Sequence, residues 1–379
     1  MAAQYDVIVI GLGAMGTATC HHLARKGARV LGLEQFGIPH ANGSSTGFSR
    51  MIRMSYHEHV NYVALLRSAF ALWRDLERES GQKILHVTGG LYMGAPENAA
   101  LRGAMRAARE FGLPHELLDA AALAKRFPQF HLPRHYRGML EANAGFILPE
   151  LSIASHAILS LRAGADLRGH EKVRSWSSAK TGVRVTTDLG TYQAAQLVLC
   201  GGAWTDALVR DLGIPLRVTR QVLAWVWPKK PALFELGRLP VWQIYRADGS
   251  AHYGFPMMPD NPGFKLAHHK PGLETTADTV PRQTLPGDEA TIRPILAKMI
   301  PAADGRLLAL RTCLYTNSPD GHFIVDRHPH RPRVWLACGF SGHGFKFAPV
   351  IGQALADLAT SGSTSHPIDF LGLARFAKS

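Results

Sequence analysis

The amino-acid sequence predicts an α/β fold in which a nucleotide-binding domain of the Rossmann type, assembled from discontinuous segments, carries an inserted α+β domain on a mostly antiparallel sheet. Two observations carry this. The glycine pattern Gly11-Leu-Gly13-Ala-Met-Gly16 stands between a strand-like run and a helix-like run. Short apolar runs of the kind buried in parallel sheets occur at the start (6–10), the middle (196–200) and the end (334–337) of the chain, with β-rich stretches between them. A length of 379 residues suits two domains. The expected boundaries are 1–80, 145–220 and 320–379 for the nucleotide-binding domain, and 81–144 and 221–319 for the second.

Residues 6–10 (DVIVI) are apolar and rich in β-branched side chains, as a doubly covered strand requires. A helical pattern runs from the glycine motif to Lys26, where Gly27 ends it. A strand over 29–34 completes a βαβ start. Helical spacing returns over 62–79, 99–111 and 153–162, and strands are expected at 90–93, 183–187 and 196–200. Between 221 and 319 the β-like runs are 222–227, 252–255 and 264–268. The strand 334–337 leads into Gly339-Phe-Ser-Gly-His-Gly and a last helix over 349–358.

Hydrophobic residues make up 46% and charged residues 19%, which excludes extended disorder. No run approaches the ~20 apolar residues of a membrane span. Lys+Arg exceeds Asp+Glu by 42 to 29, a formal charge of +13. The arginines are scattered singly rather than in the blocks of a nucleic-acid tail, so no nucleic-acid partner is expected. Cys20, Cys200, Cys313 and Cys338 are far apart and form no metal-ligand pattern. Together with a chain that opens directly into a strand, they lead us to expect free thiols and a cytoplasmic setting.

In G-x-G-x-x-G, Gly11 permits the tight turn, Gly13 lets backbone approach a pyrophosphate, and Gly16 lets helix and strand pack closely. The helix N-terminus offers unpaired N–H groups and partial positive charge to phosphate. Glu34, at the end of the second strand, is placed to accept from ribose hydroxyls and disfavours a 2′-phosphate. The motif does not separate NAD from FAD.

Four further segments occur in order: Pro39-His-Ala-Asn-Gly-Ser44 leading to Arg50-Met-Ile-Arg53; Tyr253-Gly-Phe-Pro with Lys265-Leu-Ala-His-His269; Cys313-Leu-Tyr315-Thr through Asp326; and Ser341-Gly-His-Gly-Phe-Lys346. With these, the whole chain resembles the monomeric sarcosine oxidase and N-methyltryptophan oxidase family of flavoenzymes. The resemblance implies FAD, attached covalently through Cys313, and oxidation of the secondary amine of an N-methyl or cyclic amino acid to an imine, with oxygen reduced to hydrogen peroxide. A monomer is expected.

The resemblance also implies residue roles. Arg53 and Lys346 become a clamp for the substrate carboxylate, where an arginine fork grips bidentately. Arg50 sits beside the flavin ring and Lys265 on the oxygen side, both supplying positive charge to a site that accumulates negative charge. Tyr253 and Tyr315 line the substrate pocket, and His269 faces the amine. Cofactor contacts are implied for Ala14, Met15, Gln35 and Ser44, for Val173, Gly202 and Trp204, and for Gly342, Gly344, Phe345 and Lys346. Taken singly, Cys313 also reads as a buried apolar thiol, and each cation as a solvated surface charge. The substrate amine must be neutral to lose its hydride, and the cations oppose its protonation.

One stretch departs from the family: Ser45-Thr46-Gly47-Phe48-Ser49 replaces two histidines, glycine, an acid and threonine, so sarcosine itself is not implied as substrate. Gly43-Ser-Ser45-Thr-Gly47 satisfies the hydrolase elbow G-x-S-x-G but lacks the strand before it. The histidine pairs His21-His22, His57/His59 and His328/His330 lack partners for a metal, and His21 and His22 are expected to face different ways. The competing functional reading is an FAD-dependent dehydrogenase, or a non-oxidase dinucleotide-binding protein serving a partner. Lys265 favours the oxidase.

Overall fold

The computed structural model describes residues 4–56, 58–261, 263–270 and 272–376. Two large sheets organise it. In the first, Tyr5–Ile10 lies between Val30–Leu33 and Thr191–Leu199, all parallel, with Asp166–Arg168 beyond Val30–Leu33. Thr191–Leu199 forks. Its first residues pair antiparallel with Gly182–Thr187, while Leu197, Val198 and Leu199 pair parallel with Val334–Cys338. The apolar runs from the start, middle and end of the chain are therefore neighbours in one sheet. Ile8, Leu31, Leu197, Leu199, Val334 and Leu336 form one buried layer on it.

The helix Ala14–Arg25 covers the other face and packs against Ala348–Ser361 and Pro149–Arg162. A Cβ on Gly352 would come within 2.5 Å of Ala18 Cβ, so the approach to Ala348–Ser361 depends on that glycine. Several elements run longer than expected. Pro149, at the first turn, starts its helix earlier than 153, because a proline there loses no needed N–H. Thr191–Leu199 begins in a half-exposed alternating stretch that the apolar run alone did not mark.

Among the described residues the second sheet has nine strands. Arg306–Asn317, Arg217–Trp227, Phe264–His269, Ala251–Gly254 and Val241–Tyr245 follow one another antiparallel. Val241–Tyr245 then pairs parallel with Gly90–Gly94, and Arg137–Glu141 and His115–Leu118 complete that side. Glu274–Thr275 lies against the start of Arg217–Trp227. The sheet is mostly antiparallel, as expected. A small third sheet joins Arg50–Ile52, Gly145–Ile147 and Leu85–Val87.

The prediction that His21 and His22 face different ways is corrected. Both are buried, their rings stack with centroids 5.6 Å apart, and the ring of His156, from Pro149–Arg162, lies 5.2 and 6.5 Å from them. His57 lies outside the described residues. Among the described residues no group of three His, Cys, Asp or Glu side chains is placed to hold a metal ion, and no helix is long and apolar enough to cross a membrane.

Candidate active site

A cavity of about 660 Å³ runs from the glycine turn to the face of the second sheet. At one end Gly11 takes φ +90°, and a Cβ there would meet Cys200 O at 2.4 Å. Gly16 lies beneath the turn rather than on the cavity wall, where a Cβ would strike Gly11 O at 1.8 Å. Gly13 is different. A Cβ on it would find nothing closer than Ser45 Oγ at 3.9 Å and would project into the cavity. Gly13 is also the N-cap and offers no side chain to the first-turn N–H groups. These features fit a pyrophosphate lying against bare backbone. Glu34, 5% exposed, accepts from Leu12 N at 2.9 Å and Phe36 N at 3.1 Å and lines the cavity. Ala14, Met15, Gln35 and Ser44 lie on the same wall, with Val173, Gly202 and Trp204 across from them.

The register of the second sheet assembles the other end. Directly opposed residues share a face, and so do alternate residues along a strand. Tyr315 stands opposite Thr219, Cys313 opposite Gln221, Lys265 opposite Trp225, and Tyr253 and His269 opposite Ala267 and Ala251. All five predicted residues therefore project to one side. His268 points to the other, where its ring stacks on His252 at 4.3 Å, as strand alternation requires.

Arg53 and Lys346 converge on this face from different elements. Arg53 follows the strand Arg50–Ile52; its guanidinium lies over the Tyr56 ring at 4.5 Å and pairs with Glu58 at 3.2 Å. Glu141, fully buried, accepts from Met54 N at 2.6 Å and Ser55 N at 3.1 Å and so fixes the backbone beside Arg53. Lys346 lies in the turn Phe345–Phe347, donates to His343 O at 2.6 Å, and lies over the Tyr56 ring at 5.2 Å. Burial, with Arg53 nearby, pulls the Lys346 ammonium down to about 7. His269 Nδ1 is 3.2 Å from Tyr315 Oη, and burial followed by Arg53 and Lys346 pulls its imidazole down to about 4. Gly342 takes φ +77°, and a Cβ there would meet the Tyr315 ring at 2.5 Å. Gly342, Gly344 and Phe345 line the cavity beside Lys346.

Arg50 donates to Ser44 O and Ser49 O, each at 2.9 Å, and approaches Cys313 Sγ at 3.4 Å. Cys313 is a free thiol that lines the cavity. The structure places Lys265 behind this wall instead of on it. Its ammonium, 2% exposed, donates to Gly47 O (2.6 Å), Ser49 O (2.7 Å) and Ser49 Oγ (3.0 Å). The stretch that departs from the family is thus the lysine's own ligand. Phe48, at φ +66°, points outward under Arg311, 4.9 Å from its ring centroid. Gly43–Gly47 forms a loop and no strand–helix elbow. The sequence reading missed Tyr56, Glu58, Glu141, Glu150 and His343. Only His343, inside the Ser341–Lys346 motif, carried a visible signal.

The chain matches the FAD dependent oxidoreductase family over residues 6–358. It is 42% identical to the monomeric sarcosine oxidase of Streptomyces avermitilis, covering 100% of this chain and 99% of that protein. It is 33% identical to the N-methyl-L-tryptophan oxidase of Salmonella enteritidis PT4, covering 99% and 100%. Among solved structures, NikD, an amino acid oxidase essential for nikkomycin biosynthesis, superposes with a TM-score of 0.85 at 28% identity, covering 97% of each chain. The glycine cradle, the register of the second sheet and these full-length matches agree, and the chain belongs to the FAD-dependent oxidoreductase family, alongside the monomeric sarcosine oxidases and N-methyltryptophan oxidases.

Proposed function

We propose that the protein oxidises the secondary amine of an N-methyl or cyclic amino acid to the imine and reduces oxygen to hydrogen peroxide. The observation that carries this is the convergence of Arg53, Lys346, His269 and Tyr315 at the end of the cavity that starts at the glycine turn. When bound, FAD supplies the two-electron acceptor for a hydride from the carbon next to nitrogen and passes the pair to oxygen. Arg53 and Lys346 hold the carboxylate. Tyr253 and Tyr315 wall the pocket. His269, neutral at pH 7, accepts from the amine N–H, while the two cations beside that nitrogen disfavour its protonation. Arg50 would lie by the ring, Cys313 would hold it through a thioether, and Lys265 would supply the buried positive charge that favours electron transfer to oxygen.

We further propose that segments 1–80, 145–220 and 320–379 form the FAD-binding domain, that 81–144 and 221–319 form the substrate domain, and that the protein acts as a monomer in the cytoplasm, where its thiols stay free. The experiment is peroxide release from purified protein across a panel of sarcosine, N-methyltryptophan, pipecolate and proline. Turnover of at least one with stoichiometric peroxide is expected. Flavin reduction without peroxide would overturn the oxidase reading, and no reduction by any secondary amino acid would overturn the substrate class.

A further inference from the structure

The loop Gly47–Ser49 is gripped from both sides. On one side Glu150, just after Pro149 in the first turn of the helix Pro149–Arg162, accepts from Gly47 N at 2.7 Å and from Phe48 N at 3.2 Å through each carboxylate oxygen. On the other, Lys265 donates to Gly47 O, Ser49 O and Ser49 Oγ. Gly47 and Phe48 thus give their N–H groups to an anion, while Gly47 and Ser49 give oxygens to a cation. Gly47, at φ +104°, has no room for a Cβ, which would meet Leu223 Cδ1 at 2.5 Å. The clip therefore holds the loop in one conformation. Arg50 is tied to it as well, through Ser49 O.

We propose that Glu150 is a positioning residue for the oxygen half-reaction: by clamping Gly47 and Phe48 it holds the carbonyl cage around Lys265 and, as the anion across the loop, keeps that lysine charged. This rests on the role proposed for Lys265. The groups facing Lys265 are Arg50 from the strand Arg50–Ile52, Glu150 from its helix and Cys313 from Arg306–Asn317. The rings of Phe255 and Trp225 lie 4.6 and 5.6 Å from its ammonium, and Arg311 also lies over Trp225, 5.8 Å from its ring centroid. Burial drives Lys265 well below its ordinary range, Arg50 adds to that, and Glu150 and Cys313 oppose it. Removing the Glu150 charge shifts Lys265 further down, so the cation is lost at lower pH.

The test is Glu150→Gln in the holoenzyme, with Glu150→Asp as the conservative variant and Lys265→Met as the control. Stopped-flow reoxidation by oxygen and anaerobic reduction by substrate are each followed from pH 6 to 10. In E150Q the pH at which reoxidation falls should move down by about one unit, lowering the rate above it about tenfold, while reduction changes less than about twofold. E150D should restore most of this. Hydrogen exchange of the peptide carrying Gly47 and Phe48, read on protein as purified, should speed up in E150Q and recover in E150D. An unshifted reoxidation profile, or equal loss in both half-reactions, overturns the proposal; if E150Q does not fold, E150D must show a smaller shift in the same direction or the proposal fails. If K265M leaves reoxidation intact, the reading of Lys265 itself falls and this inference with it, an outcome distinct from failure of E150Q alone.

Discussion

His269 Nδ1 and Tyr315 Oη lie 3.2 Å apart, from strands on either side of Arg217–Trp227, and the contact fixes how the imidazole can meet a substrate. With Nδ1 turned to the tyrosine, Nε2 is left for the amine. Tyr315 stays a neutral phenol, since burial and the neighbouring Tyr253 hold its ionisation well above the usual range. The imidazole is equally neutral, because burial and two cations bring it to about 4. The kcat/KM profile of the wild type should therefore show no His269 ionisation near pH 6.5. His269→Asn should cost about 1–2 kcal/mol of transition-state binding, roughly tenfold in kcat/KM, without moving the profile. A wild-type break near 6.5 that vanishes in the variant would contradict the neutral assignment.

Lys346 leads to a different pH effect. Its folded value of about 7 is depressed below the ordinary lysine value by burial and then by Arg53. A bound carboxylate stabilises the ammonium, so binding takes up a proton whenever the free site has lost it. Affinity for a carboxylate analogue lacking the amine should be flat below pH 7 and weaken above it by up to about tenfold per unit. Lys346→Met should abolish the slope and leave weaker, pH-independent binding. Titration calorimetry at pH 6, 7, 8 and 9 measures this directly.

Much of this was legible in the sequence because covalent spacing imposed it. Gly11 and Gly16 announce a turn that side chains would obstruct, Gly13 leaves its backbone bare, and strand alternation put His269 and His268 on opposite faces. What was hidden depended on contacts remote in sequence. Glu141 anchors Arg53 from a strand in another segment, 87 residues past the amide it accepts from. Arg306–Asn317 opens with the unbroken run Leu307-Leu-Ala-Leu310, which shows no alternation because that half is only partly buried on both faces, so its length could not be seen from apolar spacing. The position of Lys265 behind Gly47–Ser49 was also out of reach, since it follows from a loop fold set by Glu150.

The glycines give a prediction that separates folding from cofactor binding. Gly16→Ala forces a Cβ against Gly11 O, a backbone atom at 1.8 Å, so helix and turn must part. It should destabilise the protein by several kcal/mol. Gly13→Val puts its bulk into the cavity, where the nearest atom is 3.9 Å away. It should fold with an unchanged melting temperature as apoprotein yet be purified colourless. Flavin absorbance and thermal melts of the two variants test this; a yellow G13V protein would remove the pyrophosphate from the place given to it.

Cys313 Sγ lies 3.4 Å from the Arg50 guanidinium and lines the cavity, where a thioether to the flavin would form. Acid precipitation of the wild type should carry the yellow colour into the pellet, and Cys313→Ser should release it to the supernatant. Colour released by the wild type would show that the flavin is held without a covalent bond.

The three buried histidines at the back of the first sheet limit acid stability. His21 Nδ1 meets His156 Nδ1 at 3.0 Å, so one ring must present a bare nitrogen, and the Nε2 atoms of His22 and His156 are buried without a partner. Burial lowers all three, His22 to about 3 and His156 well below the usual range, with His21 adding to the shifts of both; Glu79 opposes the fall at His21. A base depressed on folding binds its proton better when unfolded. The stability it contributes is present above the unfolded value near 6.5 and is lost as pH drops below it. Each such histidine should steepen the loss by about 1.4 kcal/mol per pH unit over that range. His156→Leu removes one of these titrations and relieves the facing nitrogens, so its unfolding free energy should fall less than that of the wild type between pH 6.5 and 5. Urea denaturation at those two pH values decides it: parallel losses in the two proteins would mean that His156 is protonated in the fold.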